Sequence, residues 1–495
     1  MKGHIILLIT LAIFSLLFAD GTPAEGAGTE NDPYLIETLD NLLWLSTTEA
    51  VWDSTSYFLQ TADIDASDTQ TWNNGEGFSP IGNYTSRFQG SYNGAYYNID
   101  GLYIIRPIDN YIGLFGFTSR STIEALSVIN VNVYGHFQVG GLVGANNNQS
   151  LITECNTSGN VIGYWCVGGM VGINSNNSPL NICYATCIVS GLTDNVGGLV
   201  GTNYRSTLST CYATGNVSGY TLVGGLIGEN HYQSTLSKCY ATGNVTGHSY
   251  IGGLAGSVYS CTLNASYATG NVIGEANVGG LAGRNYVATI SSCYAIGSVS
   301  GNDHHGGLVG LNYFAQINNC VWNSGTTGQT IGIGYDYEGV ITNLIGATTA
   351  EMQIVSTYTD IDWDFVGESI NGTEEIWDID DEINDGYPYI YDIEFPVSND
   401  ENVIHPGGQE LEIENYPNPF NPVTNIFYEL GEDAENVTLA VYNIRGQRVW
   451  QKQLKETGRG SHTVIWSGKG LASGIYFYMI RADENARTGK MIMLK

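Results

Sequence analysis

The sequence predicts an all-β chain: a right-handed parallel β-helix (a solenoid) followed by a small Ig-like β-sandwich. Three observations carry this expectation. One phrase returns about every 28 residues through the middle of the chain. That phrase is written in Gly, Val, Thr, Tyr and Asn, with few of the straight-chain residues that favour helix. And the balance of charge reverses sign near the C-terminal end.

Residues 1–19 read as a secretory signal peptide. Lys2 supplies the positive start, Ile5 to Phe18 an apolar run, and Ala19 a small residue before the cut. The run is short for a membrane span, and no later segment is apolar enough to be one. The mature protein is therefore expected outside the cytoplasm, with no transmembrane span. Residues 20–111 form an acidic flank, expected to cap the β-helix.

The repeat occupies residues 112–323. The first glycine of each Gly-Gly pair falls at Gly140, Gly168, Gly197, Gly224, Gly252, Gly279 and Gly306, in steps of 27 to 29. An imperfect copy, Ile112-Gly-Leu-Phe-Gly116, precedes them. A period of this size marks a solenoid. Two or three short strands with Gly and Asn corners fill one coil. A coil leaves a row of unpaired backbone groups above and below, and only a coil of matching shape satisfies it. Repetition of the phrase is how each coil matches the next. Eight coils at ~4.8 Å spacing would stand roughly 38 Å tall.

Alternation assigns the faces. In Cys211-Tyr-Ala-Thr-Gly-Asn-Val217 the odd positions are small and apolar, so they are expected to face inward. Tyr212, Thr214 and Asn216 are expected to face out. Three columns follow. Cys155, Cys183, Cys211, Cys239, Cys293 and Cys320 stand in one register, with Ser266 in the missing rung. Stacked side chains run nearly parallel, whereas a disulfide needs them to converge, so a buried ladder of free thiols is expected. Cys166, Cys187 and Cys261 lie off the column, where a local bridge remains open. Asn146, Asn174, Asn203, Asn230, Asn285 and Asn312 form a second column, with Ser257 near its gap, read as an amide ladder at a corner. Tyr184, Tyr212, Tyr240, Tyr267 and Tyr294 form the third, beside Thr214 and Thr242. Exposed, they would make a strip able to stack on sugar rings or meet another ordered surface. The bland alternative is that tyrosine suits the flank of a strand.

Residues 324–398 are an acidic closing segment and 399–411 a linker. Residues 412–495 form the last domain, with short alternating strands and Gly turns. Residues 1–436 carry 7 Lys+Arg against 45 Asp+Glu, and residues 437–495 carry 10 against 3. With a net charge of -31, nucleic acid is excluded as a partner.

The motifs of catalysis are missing. No His-Glu-x-x-His, Gly-x-Ser-x-Gly or phosphate loop occurs, and no Cys-x-x-Cys pair calls for zinc. His304-His305 reads as a solvated corner. Asp63, Asp65 and Asp68, or the run from Asp378 to Asp385, are a weak calcium signal without the glycine and closing Glu of a calcium loop. No catalytic residue, metal or cofactor is assigned.

Val196-Gly-Gly-Leu-Val-Gly-Thr-Asn203 with Cys211-Tyr-Ala-Thr-Gly-Asn-Val217 resembles the GLUG repeat of bacterial surface proteins. Asn31 to Leu42 is similar to the lead-in of such helices. Thr348-Thr-Ala-Glu-Met352, Trp363-Asp-Phe365 and Tyr387-Pro-Tyr389 are similar to their ending. The resemblance implies an adhesin-like surface protein. The repeat also accompanies an immunoglobulin-cleaving metallopeptidase, whose metal motif is absent here. Tyr416-Pro-Asn-Pro-Phe-Asn-Pro422, with Pro417, Asn418 and Pro419, then the segments around Gly446 and Gly474, resemble the C-terminal sorting domain of type IX secretion. That implies type IX-like machinery as a partner, and release or display at the outer surface of a Gram-negative bacterium. The function expected is an adhesin-like module that binds a glycan or surface ligand. The alternatives are a polysaccharide-active β-helix enzyme with its site in the acidic flanks, and a structural surface-layer component.

Overall fold

A computed structural model of the chain describes residues 21–380, 383–391, 412–416, 420–430, 434, 437–443, 448–454, 460–482 and 485–493. The expected signal peptide (residues 1–19) and the expected linker (residues 399–411) lie outside these residues.

The repeat folds as a parallel β-solenoid of about 11 turns. One coil shows the plan. Thr207–Ser209, Tyr212–Ala213 and Val217–Ser218 join one broad sheet, Thr221–Gly224 a seven-stranded sheet and Ile227–His231 a nine-stranded sheet. Each strand pairs in parallel with its copy in the next coil: Leu208 with Leu236, Tyr212 with Tyr240, Gly224 with Gly252, Asn203 with Asn230. The pile is longer than the phrase that announces it. Tyr57–Gln60 and Ser91–Asn93 extend it on one side, Ile333–Tyr337 and Val340–Ala347 on the other.

The corners are where L-residues carry the cost. Asn195, Leu222, Tyr250 and Asn277 share a left-handed φ at one corner, and Arg205, Tyr232, Ser260 and Val287 at another. Each conformation is unfavourable alone, and the ladders on either side hold it. The Gly-Gly pair has a different reason. A Cβ on Gly197 would lie 2.1 Å from the Val200 carbonyl, so the backbone closes over itself only because nothing is there.

Leu208, Cys211, Ala213, Val217, Val223 and Leu226 are buried in one continuous core. At about 1.5–3 kcal/mol for each large aliphatic side chain, every coil adds its own share of stability. The first end is closed by a helix, Leu39–Thr47. Thr38 and Asn41 form its capping box, and Leu42 and Leu45 enter the core.

All nine cysteines are free and buried. In the column each thiol donates to a carbonyl two residues back, as Cys211 does to Ser209 at 3.2 Å. No bridge joins Cys166, Cys187 and Cys261. The asparagine column is an unexposed amide ladder. Asn146 donates to Asn174 at 2.8 Å, Asn174 to Asn203 at 2.9 Å, and Asn203 to Asn230 at 2.8 Å. Its gap, beside Ser257, is filled by Val258, which the register sets between Asn230 and Asn285.

The last domain holds two antiparallel sheets. Glu412–Tyr416, Val423–Leu430 and Gly460–Ser467 make one; Val437–Asn443, Arg448–Leu454, Gly474–Ala482 and Asn485–Met493 make the other. Ile426, Tyr428 and Trp466 from the first share a core with Leu439, Tyr478 and Met491 from the second.

Candidate binding face

The expected tyrosine strip forms a ladder, but not an open one. Tyr184, Tyr212, Tyr240, Tyr267 and Tyr294 stack at 4.8 to 4.9 Å with ring planes within 5°. They lie outside the coil's own core, as the alternation required. Yet exposure is 5% at Tyr184, 8% at Tyr212, 5% at Tyr267 and zero at Tyr294. The expectation of a solvent-facing strip is therefore corrected. For Tyr240, Tyr267 and Tyr294 the reason is the closing segment, which packs along the flank of their coils. Trp363, Phe365, Trp377, Tyr358 and Ile390 form a separate hydrophobic cluster with Tyr267 and Tyr294, and Tyr240 packs against it. The Tyr294 hydroxyl donates to the Pro388 carbonyl at 2.6 Å and accepts from the Asn384 amide at 2.6 Å. Burial raises the pKa of all three phenols, and of Tyr212. Thr214 remains exposed and Thr242 half-buried.

A second aromatic ladder stands on the outer face of the nine-stranded sheet. Each of its residues follows the asparagine column by one, so it points the opposite way. The column runs Ser119, Asn147, Ser175, Tyr204, His231, Tyr259, Tyr286, Tyr313 and Tyr337. From Tyr259 onward the rings lie 4.8 to 5.0 Å apart and within 13° of parallel. Neighbours cover one another's faces, so the stack turns ring edges and phenol hydroxyls outward. Among the described residues no protein group bonds the hydroxyls of Tyr259, Tyr286, Tyr313 or Tyr337. Desolvation, and then the neighbouring phenols Tyr337 and Tyr286, raise the pKa of Tyr313.

Charged groups frame this face. Arg284 lies over the rings of Tyr250, Tyr259 and Tyr286 at 5.0 to 5.9 Å, and pairs with Glu229 at 3.4 Å. Arg205 lies over Tyr204 and Tyr232 at 5.3 and 5.5 Å. Tyr232 and Phe314 are exposed on the adjoining corner. His304 packs against Tyr335 at 4.9 Å. His305, read as part of a solvated corner, instead takes the position that Val278 holds one coil earlier. Its Nδ1 is buried without a hydrogen-bond partner.

The acidic flank offers one cleft, of about 370 Å³, between the coil edge and the closing segment. Asp362, Asp364, Glu374, Trp363 and Trp377 line it. Asp364 is committed to its own turn, accepting from the backbone of Glu374 at 2.8 Å and Glu375 at 3.3 Å. Asp63 and Asp65 likewise accept backbone N–H groups, from Asn98 and Ser67. Among the described residues, no three His, Cys, Asp or Glu side chains gather as a metal site would need.

Comparison with known proteins falls on both halves of the chain. The GLUG motif matches residues 194–218 and 219–246, and the secretion system C-terminal sorting domain matches residues 414–494. The chain carries GLUG motifs and a type IX sorting domain. It is thereby marked for export through type IX machinery, to the medium or the cell surface. Of the sorting residues, Tyr416 ends the first strand of that domain and Gly474 opens another, with φ of 153°. Pro417, Asn418, Pro419 and Gly446 lie outside the described residues. The GLUG chain is 36% identical to Halomucin of Haloquadratum walsbyi over 139 residues, 27% of this chain and 2% of that protein. It thus spans a small fraction of that relative's length. Among solved structures an IgA1 Protease aligns with 52% of this chain and 21% of its own, at 16% identity and a TM-score of 0.36. No helix among the described residues is long and apolar enough to cross a membrane.

Proposed function

We propose that this is an adhesin-like binding module, secreted or held on the surface of a Gram-negative bacterium, that recognises a glycan. The reading takes the solenoid as right-handed, the terminal domain as an Ig-like sandwich read by the export machinery, and the signal peptide as removed. It calls for no cofactor and no catalytic residue. The observation that carries it is the open ladder Tyr259, Tyr286, Tyr313 and Tyr337. A rigid row of unpartnered hydroxyls, flanked by Arg205 and Arg284, has the amphipathic chemistry that suits sugar, and stacked coils hold it without ordering cost on binding. Ring recognition thereby moves from the Tyr184–Tyr294 column, which is largely buried and whose last three rings the closing segment covers, to the outer face.

The test is a glycan array with the mature full-length protein, followed by titration of the best binder. Changing Tyr259, Tyr286 and Tyr313 together to Ala should weaken binding by about ten-fold or more, at ~0.5–1.5 kcal/mol for each aromatic contact. The triple Phe variant keeps the stack and removes only the hydroxyls, so it should fold normally and still bind less. Unchanged affinity in both variants would remove the ladder from the function.

A further inference from the structure

We infer that the same face carries an anion subsite at its N-terminal end, and that the ligand is therefore an acidic polysaccharide lying along the solenoid axis. This rests on the glycan-binding reading and names its substrate class. The subsite is a cleft of about 350 Å³ lined by Thr85, Arg87, Gln89, Ser119, Arg120 and Asn148. Its size is that of a small-ligand site.

Charge makes the cleft unusual. Between residues 21 and 380 the chain has six Lys and Arg, and two of them line this cleft. Arg106 and Arg284 show what an arginine does here when it is structural. Arg106 pairs with Glu76 at 3.2 Å and Asp109 at 3.6 Å, and Arg284 pairs with Glu229. Among the described residues, no carboxylate lies within ion-pairing distance of Arg87 or Arg120. In so acidic a chain, two guanidiniums left without a carboxylate partner among the described residues, beside a cleft, are a ready site for a carboxylate or sulfate. The overall negative charge does not forbid it, because screening limits distant repulsion to about 8 Å at physiological salt.

The cleft is also built to hold its shape. The Arg87 guanidinium lies over Phe117 at 4.8 Å and Tyr84 at 5.6 Å, and donates to the Tyr84 carbonyl at 3.4 Å. These contacts fix its plane. The Asn148 amide donates to the Ser119 hydroxyl at 3.2 Å. Neutral donors and acceptors of the kind that meet sugar hydroxyls thus surround the two charges.

Register links the cleft to the ladder. Ser119, in the cleft wall, occupies the column that becomes Tyr204, Tyr259 and Tyr286. Arg120 stands at the corner that, three coils on, holds Arg205. At ~4.8 Å per coil those two guanidiniums are about 14 Å apart along the axis. Arg205, too, has no carboxylate within ion-pairing distance among the described residues. Glu229, a carboxylate midway on the face, is occupied by Arg284. A linear polymer bearing repeated negative groups fits a linear face with spaced, unpaired cations.

The experiment compares three immobilised polymers against the full-length protein: polygalacturonate, which carries carboxylates, dextran sulfate, which carries sulfates, and neutral dextran. Wild type should bind one acidic polymer at least about ten-fold more tightly than dextran, and the preferred polymer identifies the anion. Arg87→Gln with Arg120→Gln should abolish that preference, and Arg120→Gln alone, at an exposed corner, should weaken it with no change in melting. Equal binding of dextran and the acidic polymers, or full retention by the double variant, overturns the inference. If the acidic polymer binds and is lost only in the Tyr259, Tyr286 and Tyr313 variants, the ladder stands and the cleft falls. If it is lost only in the arginine variants, the cleft stands and the ladder falls.

Discussion

Asn230 donates its side-chain amide not to another asparagine but to the thiol of Cys261, 3.1 Å away. The ladder breaks at this rung because Val258 occupies the next position in register. Cys261 sits where earlier coils place Ser150, Ser178, Ser206 and Ser234, whose hydroxyls meet the backbone of the preceding coil. On the far side of the break the Asn285 Oδ1 is buried, with no hydrogen-bond partner among the described residues. Val258→Asn should repair both sides, accepting from Asn230 and donating to Asn285. A gain of about 1 kcal/mol is expected, read as a raised melting temperature of the solenoid. Asn203→Ala should cost about 1–3 kcal/mol, since it strands a buried Asn174 donor.

The thiols should be silent in the native protein. Burial raises the pKa of Cys166, Cys187 and Cys261 to about 12, and lifts those of Cys155, Cys183, Cys211 and Cys293 well above the usual thiol value. A thiol-reactive disulfide reagent at pH 8 should find almost no fast-reacting cysteine in the folded protein and all nine after denaturation. Several fast thiols in native protein would mean that the coils open.

Alkaline pH should unfold the solenoid earlier than acid pH would suggest. Burial raises the folded-state pKa of thiols such as Cys183 and Cys211 above their ordinary 9.0, and of phenols such as Tyr212, Tyr267 and Tyr294 above their ordinary 10.0. The folded state therefore holds protons that the unfolded chain releases. This contribution is complete below about pH 9 and is lost as pH rises above it. Melting temperature should be flat through neutral pH and fall steeply beyond pH 9, and Ser in place of Cys183 and Cys211 should soften that fall.

The closing segment should be separable from the coils it covers. Trp377→Ala removes an indole packed 4.6 Å from Trp363 and 6.1 Å from Tyr294. A loss of about 3–5 kcal/mol is expected, enough to release the segment. Limited proteolysis should then cut within residues 349–391 while the β-sheet circular dichroism persists. Spectroscopic titration should show phenols ionising closer to pH 10.

The coils were legible because every rung repeats the same instruction. Gly-Gly spacing gave the period, and the inward order of Cys211, Ala213 and Val217 gave the core. The outward direction of Tyr294, in the same column as Tyr212, was legible too. What covers it was not, since Trp363 and Trp377 come from a segment with no repeat, and no periodicity links them to Tyr294. The exposed ladder escaped for the opposite reason. Its column begins as Ser119, Asn147 and Ser175 and becomes aromatic only from Tyr204, so it does not read as a repeat. Reading one position past each ladder asparagine would have found Tyr204, His231, Tyr286 and Tyr313. Arg87 and Arg120 are far apart in sequence, and only the coil winding brings them to one cleft.

The roof over the tyrosines is fastened to the last few coils, and the helical lid to the first. Whole turns between them answer to neither. A gene that duplicates or drops one 28-residue unit there would keep both fastenings and change only how far the outer face extends. Reach can thus be adjusted in single steps, like links in a watch strap, without redesigning either clasp.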